Sequence, residues 1–243
     1  MHYNYLYKRF FADNLMVGLS LIIPAHNSER AIENSLRRYH EFFSKRFENF
    51  EMIVVCNACA DDTCSKAISL KKEFPLKIIN TQKKGKGNAI ILGFEHAKYD
   101  LIGFLDADNP YNLDEVLKMM SFLNEFDMTI VTKFNRPLKY QTSLSRRFFS
   151  LMGSVVFYFL FRMKFKDTQA GAKFMKRDLW LKLKRPFICK GFEFDMELLY
   201  KASKLKAKIK EYYISPNKTD FTTVKMRILP GLIYRLIKLR ILQ

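Results

Sequence analysis

Apolar runs alternate with amphipathic segments along the first hundred residues. Short, mostly apolar runs predict buried strands; they are Leu19–Pro24, Glu51–Cys56, Leu76–Asn80 and Leu101–Leu105. Segments with apolar residues three or four positions apart predict helices; they are Ser28–Phe43, Asp61–Phe74 and Lys86–Lys98. This alternation predicts an α/β fold: a mostly parallel, Rossmann-like sheet with helices on both faces and right-handed crossovers.

The second half of the chain is patterned less regularly. The predicted strands are Met128–Lys133, Gly171–Met175 and Ile209–Ile214. The predicted helices are Asp114–Phe126, Ser143–Met163, Asp178–Leu183, Phe194–Leu205 and Gly231–Leu242, the last of them basic and amphipathic. We therefore predict one α/β domain over residues 17–215, followed by a basic C-terminal segment over residues 216–243.

The net charge of +18 indicates an anionic partner. Residues 128–166 hold eight Lys or Arg and no Asp or Glu, and residues 221–243 hold five and none. Both segments are also rich in Phe, Leu and Ile, which is typical of a surface that lies on anionic lipid headgroups. We expect a peripheral membrane contact; nucleic acid is an alternative on charge alone and is not the partner we expect, and a merely solvated surface is a third interpretation.

Other features of the sequence favour a location at the cytoplasmic face of a membrane or in the cytoplasm. The N-terminus lacks the apolar core of a signal peptide. The longest apolar run, 148–161, is shorter than the ~20 residues that span a bilayer. The four cysteines are expected to be reduced thiols rather than a disulfide framework.

Two carboxylates follow the strand Leu101–Leu105 directly. Asp106 and Asp108 are two positions apart at an irregular strand end, so both can reach one hard divalent cation. Mg²⁺ takes few protein carboxylates and completes its shell with water and phosphate oxygens. Asp106 and Asp108 are therefore predicted to hold Mg²⁺ or Mn²⁺, beside the basic residues Lys83, Lys84 and Lys86.

Six segments in order resemble the family 2 glycosyltransferases, and within them the polyprenyl-phosphate mannose and glucose synthases. They are 22–27 (IIPAHN), 54–63 (VVCNACADDT), 84–87 (KGKG), 104–108 (FLDAD), 167–173 (DTQAGAK) and 191–199 (GFEFDMELL). The resemblance implies a GT-A type fold and an inverting transfer of a hexose from a nucleotide-diphosphate sugar, such as GDP-mannose or UDP-glucose. The implied acceptor is a polyprenyl or dolichyl phosphate.

The resemblance also implies a donor site. Its residues are Pro24, Ala25, His26, Asn27, Glu29, Cys56, Asn57, Lys86, Asp106 and Ala107. Three places depart from the family pattern, and at the first of them Ser28 stands where many relatives carry glutamate. Cys56 and Asn57 stand where relatives carry two aspartates, the first of which reads the base, and Asn109-Pro110 stands where close relatives place a metal-binding glutamine.

A second set of residues is implied for the acceptor and for catalysis. Arg146 and Ser150 are four positions apart, so on a helix both can contact one lipid phosphate, with Lys133 and Arg136 nearby. The implied catalytic residues are Asp106, Asp108, Asp167, Gln169 and Asp195. A phosphate acceptor needs no strong general base, whereas a sugar hydroxyl would need one, for which Asp167 and Asp195 are the candidates.

Two alternatives stay open on the sequence. The acceptor could be a glycan hydroxyl, in the synthesis of a cell-surface polysaccharide or a glycoprotein. The chain could instead be a non-enzymatic protein whose basic surface binds membrane or nucleic acid. A lipid-soluble product would indicate the lipid-phosphate acceptor, and a water-soluble product would indicate the glycan hydroxyl. Strongly salt-dependent binding to any duplex would indicate a nucleic-acid binding protein.

Overall fold

The protein is described by a computed structural model. The described residues are 17–108, 111–132, 161, 163, 165, 167–168, 171–183, 185–215 and 229–242. The predicted helix Ser143–Met163 lies almost entirely outside them. No helix in these ranges is long and apolar enough to cross a membrane.

Seven strands and seven α-helices are found in the described residues. The strands are β1 (Leu19–Ala25), β2 (Phe50–Asn57), β3 (Lys77–Thr81), β4 (Leu101–Leu105), β5 (Met128–Thr132), β6 (Ala172–Lys176) and β7 (Ile209–Tyr213). The helices are α1 (Ile32–Ser44), α2 (Thr63–Ser69), α3 (Lys86–Glu95), α4 (Leu113–Ser121), α5 (Arg177–Lys182), α6 (Phe194–Lys204) and α7 (Leu229–Leu242). Short 3-10 turns at Leu70–Lys72 and Phe122–Asn124 extend α2 and α4.

The strands form one sheet in the order β3-β2-β1-β4-β6-β5-β7. The first four strands of this order are parallel, and β7 is parallel to β5. Strand β6 is the exception, because it runs antiparallel to both β4 and β5. The predicted α/β class with a mostly parallel sheet is confirmed, and the central antiparallel strand is a feature that the local pattern did not reveal.

Both faces of the sheet are covered, because residues of each strand alternate between two cores. Leu21 and Ile23 of β1 pack with α1 and α4 on one face, and Ile22 packs with α3 and α6 on the other. A third, smaller cluster joins Met196 and Tyr200 of α6 to Leu239 of α7. Since Leu239 is fully buried there, α7 packs on the α/β unit. The boundary between residues 215 and 216 remains a prediction.

Helix ends differ from the sequence pattern for local reasons. Helix α1 begins at Ile32 rather than Ser28, because the Ser28 N–H donates to Thr63 Oγ1 and the next residues form a turn. Helix α4 begins after Asn112, whose Oδ1 accepts the N–H groups of Asp114 and Glu115 as an N-cap. The apolar pattern specifies the helix, and side-chain capping determines where it begins.

Candidate active site

Polar groups collect where β1, β2 and β4 end. These three strands are adjacent and parallel, so their carboxyl ends lie at the same edge of the sheet. Ligands of open α/β sheets bind beyond this edge. Three segments meet there: 24–29 at the end of β1, 56–63 at the end of β2 and 106–108 after β4.

Lys86 and Asp106 form an ion pair at this edge. Lys86 begins α3, and its Nζ lies 2.7 Å from Asp106 Oδ1. Burial disfavours the ammonium, but the charges of Asp106 and Asp195 outweigh it, so the pKa of Lys86 is raised above its ordinary value. The side chains are 13% and 31% exposed, so the pair is reachable from solvent. A cation and a carboxylate are thus held side by side at the mouth of the site.

Asp106 is fixed by contacts to its backbone. Its N–H donates to the Gly171 carbonyl at 3.1 Å, and Tyr39 Oη donates to its carbonyl at 2.8 Å. Its carboxylate lies directly over Gly171, where an added Cβ would be 1.7 Å from Oδ2. Only glycine leaves room for this carboxylate. Tyr111 Oη in turn accepts the Gly171 N–H at 3.1 Å.

A second ion pair lies below the first. Lys173 of β6 and Asp195 of α6 are 0% and 1% exposed, with Nζ 2.8 Å from Oδ1. Burial lowers the pKa of Lys173 from its ordinary value, although Asp195 opposes this. Both lysines lie near the Phe104 ring, whose centroid is 5.3 Å from Lys86 Nζ and 5.5 Å from Lys173 Nζ. The two pairs therefore form one charged cluster around an aromatic ring.

The remaining predicted carboxylates interact electrostatically with the same cluster. Asp108 is exposed. Burial, Asp106 and Asp195 have larger effects on the pKa of Lys86, and the charge of Asp108 also helps to raise it. Asp167 is buried and helps to raise the pKa of Tyr111, for which burial is the largest cause and Asp106 the next. Ala107 between the two aspartates is buried. The charges of Asp106 and Asp108, two residues apart in one short segment, thus both act on Lys86.

These carboxylates fit a divalent cation that is shared with a phosphate ligand. Within the described ranges, no three His, Cys, Asp or Glu side chains are arranged to hold a metal by themselves. Two hard carboxylate donors at an open edge are what Mg²⁺ or Mn²⁺ takes when a substrate diphosphate and water supply the other oxygens. The donor set of Asp106 and Asp108 therefore fits the predicted cation.

The segment after β1 is fastened to the segment after β2. His26 Nδ1 lies 2.7 Å from the Asn57 carbonyl, and Asn27 Oδ1 accepts the Ala60 N–H at 2.9 Å. Glu29 receives the Asp62 N–H on its carboxylate and donates its own N–H to Asp61. Pro24 is half-buried and Ala25 is buried behind this loop. His26 and Asn27 are exposed and face the edge where a donor nucleotide is expected.

Asn57 connects β2 to the loop before α3. Its Nδ2 donates to the Lys83 carbonyl at 2.6 Å, and its Oδ1 accepts the Gly85 N–H at 3.0 Å. Gly85 has φ 123°, a left-handed conformation that favours glycine. The neighbouring Cys56 is fully buried, and burial raises the pKa of its thiol. Asn57 therefore shapes the basic loop that carries Lys86, while the Cys56 side chain belongs to the core.

Five predicted site residues lie outside the described ranges: Lys133, Arg136, Arg146, Ser150 and Gln169. Three others that the sequence did not single out belong to the site, namely Tyr111, Gly171 and Lys173. A signal existed for Lys173, since it is a lysine between the apolar positions Ala172 and Phe174 of a predicted strand. A charge at such a position requires a buried counter-ion.

Solved structures of GT-A type glycosyltransferases share this fold. Glucosyl-3-phosphoglycerate synthase of Mycobacterium tuberculosis, solved with Mn²⁺, UDP-glucose and phosphoglyceric acid, superposes with a TM-score of 0.72 at 16% identity. The superposition covers 97% of this chain and 82% of that one. Mannosyl-3-phosphoglycerate synthase of Rubrobacter xylanophilus gives a TM-score of 0.71 at 17% identity, over 97% and 76% of the two chains.

Residues 20–192 match the family described as Glycosyl transferase family 2, and the chain belongs to that family. A dolichyl-phosphate beta-glucosyltransferase of Drosophila melanogaster is 26% identical, over 86% of this chain and 69% of the relative. The enzyme of the same name from Saccharomyces cerevisiae is 26% identical, over 89% and 72%. A dolichol-phosphate mannosyltransferase of Pyrococcus furiosus is 30% identical over 48% of this chain and 33% of the relative.

Proposed function

We propose that this glycosyltransferase moves a hexose from a nucleotide-diphosphate sugar to a polyprenyl phosphate of the dolichyl type, with inversion at the anomeric carbon. The observation that carries the proposal is the cluster of Lys86, Asp106 and Asp108 at the carboxyl edge of the sheet. The names of the full-length relatives support the acceptor class.

The donor diphosphate is proposed to bind at the Lys86–Asp106 pair. Lys86 keeps its proton and presents an ammonium to the phosphates. Asp106 and Asp108 would hold Mg²⁺ or Mn²⁺, and the ions present in related GT-A structures support this choice. When bound, such a cation supplies Lewis-acid neutralisation of the departing diphosphate. His26, Asn27 and the loop set by Asn57 would enclose the nucleotide.

The transfer itself needs little acid–base chemistry from the protein. A lipid phosphate oxygen forms the new bond to the anomeric carbon while the bond from that carbon to the diphosphate breaks, and no proton is exchanged. Asp195 is buried and paired with Lys173, which favours a role in orienting the sugar over a role as general base. Arg146, Ser150, Lys133 and Arg136 are the proposed acceptor-phosphate residues, with Asp167 and Gln169 at the acceptor pocket.

We place the reaction at a membrane surface, with the protein bound peripherally at the cytoplasmic face. The charge of +18 complements anionic headgroups. Helix α7 exposes Tyr234 and Ile241, at 66% and 77%, beside exposed basic residues. Exposed aromatic and aliphatic side chains next to basic ones are suited to an interface of lipid and water.

The acceptor is tested by where the product partitions. Purified protein is incubated with Mn²⁺, a short polyprenyl phosphate and radiolabelled GDP-mannose, UDP-glucose or UDP-N-acetylhexosamine in turn. We expect label from one donor to enter the organic phase, and none to enter when a chelator replaces Mn²⁺. Label in a water-soluble glycan would instead support the hydroxyl acceptor, and no transfer from any donor would contradict the proposal.

A further inference from the structure

A loop before α6 holds the first turn of α3, and thereby Lys86. The loop comprises residues 188–193. Its carbonyls at Lys190 and Gly191 accept the N–H groups of Asn88 and Gly87 at 3.1 and 3.2 Å. Gly87 and Asn88 are the second and third residues of α3, directly after Lys86. Any shift of this loop therefore moves the turn from which Lys86 reaches Asp106.

Two buried carboxylates at the start of α6 hold the 188–193 loop. Glu197 accepts the N–H groups of Ile188 and Cys189 at 2.8 and 2.6 Å. Glu193 accepts the Gly191 N–H at 3.2 Å. Lys201, one turn along α6, neutralises Glu197 from 2.9 Å. Glu197 therefore has its counter-ion within the same helix.

Glu193 obtains its counter-ion from the C-terminal helix instead. It is 1% exposed, and Arg235 Nε of α7 lies 2.5 Å from its Oε1. Among the described residues, Arg235 is the one cation within 4 Å of this carboxylate. A buried carboxylate without a cation is strongly destabilised. One turn after Arg235, Leu239 is buried against Met196 and Tyr200 of α6, which seats α7 over the same region.

We propose that the Glu193–Arg235 pair is a positioning contact for the donor site, through which docking of α7 holds the 188–193 loop and so sets Lys86 for the donor diphosphate. Neither residue is required to touch the substrate. The pair acts through the carbonyls of Lys190 and Gly191 on the first turn of α3. This inference rests on the proposed function for its consequence in donor binding, but its structural step does not.

The variant Arg235→Gln tests the contact, with Arg235→Lys as the conservative variant. Arg185→Gln is the matched control, because Arg185 is similarly exposed and pairs at 2.6 Å with Glu95 at the other end of α3. Hydrogen exchange of the Gly87 and Asn88 amides is measured without ligand, with the Ile22 amide of β1 as an internal reference. Binding of UDP or GDP with Mn²⁺ is measured separately by calorimetry.

We expect Arg235→Gln to speed exchange at Gly87 and Asn88 while Ile22 stays unchanged, and to raise the Kd of the nucleotide about three- to tenfold. Arg235→Lys should keep exchange rates and a Kd close to those of wild-type protein, and Arg185→Gln should show neither effect. Exchange at wild-type rates in Arg235→Gln, or equal acceleration at Ile22, would overturn the inference. If wild-type protein binds neither nucleotide, the proposed function fails, while hydrogen exchange still decides the role of the pair.

Discussion

Asp106 is the single residue on whose placement the site most depends. Its backbone is fixed by Gly171 and Tyr39, and its carboxylate pairs with Lys86. Because these contacts come from the residue before β6, from α1 and from α3, the fold around the sheet determines where the carboxylate lies. The acidic pair was visible in the sequence, whereas the glycine beneath it acquires its meaning only from the fold.

The variant Gly171→Ala should displace the Asp106 carboxylate, because the new Cβ would lie 1.7 Å from Oδ2. Overpacking of this kind costs about 1–3 kcal/mol of unfolding free energy. We expect transfer to fall about a hundredfold, as misplaced catalytic groups often cause. Urea unfolding and initial rates measure the two effects. Gly231→Ala is the control, since its Cβ meets nothing closer than 3.6 Å; equal activity in both variants would contradict the role of Gly171.

Lys86 should stay protonated throughout the assay range. Burial lowers its pKa, but the charges of Asp106 and Asp195 together raise it by more than burial lowers it. The folded pKa therefore exceeds the ordinary value. With a raised folded pKa, the attraction for anions is complete below the unfolded pKa of about 10.4 and is lost only as pH rises through the folded value. Between about pH 7 and about pH 9, affinity for UDP or GDP should therefore depend on pH in the same way in wild-type protein and in the Lys86→Arg variant. An alkaline decline confined to wild-type protein would refute this assignment.

At the scale of elements, the Lys173–Asp195 pair joins β6 to α6 beneath the site. The variant Lys173→Met leaves Asp195 buried without its counter-ion, which should cost about 3–5 kcal/mol of unfolding free energy. The double variant Lys173→Met with Asp195→Leu should regain most of that loss, because no unpaired charge remains. Urea unfolding measures both. A double variant as unstable as the single one would show that the pair is not an independent unit.

The elements also show which parts of the fold a local pattern can predict. Strand β4 has the predicted bounds, Leu101–Leu105, because an apolar run between polar residues allows one register. The direction of β6 was not predictable in this way, since it depends on pairing with β4 and β5 rather than on its own residues. The burial of Lys173 had a signal in the sequence, but its partner did not, since Asp195 comes from a helix further along the chain.

At the scale of the whole molecule, the charge should control attachment to membranes. We expect binding to vesicles that contain phosphatidylserine and none to neutral phosphatidylcholine vesicles, because +18 charges complement only the former. Raising the salt to about 1 M shortens the screening length to about 3 Å and should release the protein. Co-sedimentation measures this. Salt-independent binding to neutral vesicles would contradict an electrostatic attachment.

The six ordered motifs predicted the class of enzyme through their resemblance to a known family, and the parallel strands predicted that the polar strand ends share one edge. They could not predict how α7 joins the site, since the contact between Arg235 and Glu193 depends on the packing of Leu239 against α6. Long-range ion pairs leave no periodic trace in the chain. The fold was therefore more predictable than the supports of its active site.

The central claim is that Asp106 and Asp108 hold a divalent cation on a sugar-nucleotide diphosphate. The most direct test compares Mn²⁺-dependent sugar transfer by wild-type protein, Asp108→Asn and Asp178→Asn, the last being an exposed aspartate of α5. We predict that Asp108→Asn loses about a hundredfold or more in rate and that Asp178→Asn keeps the wild-type rate. Transfer by Asp108→Asn at the wild-type rate, or by wild-type protein in excess chelator, would contradict the account.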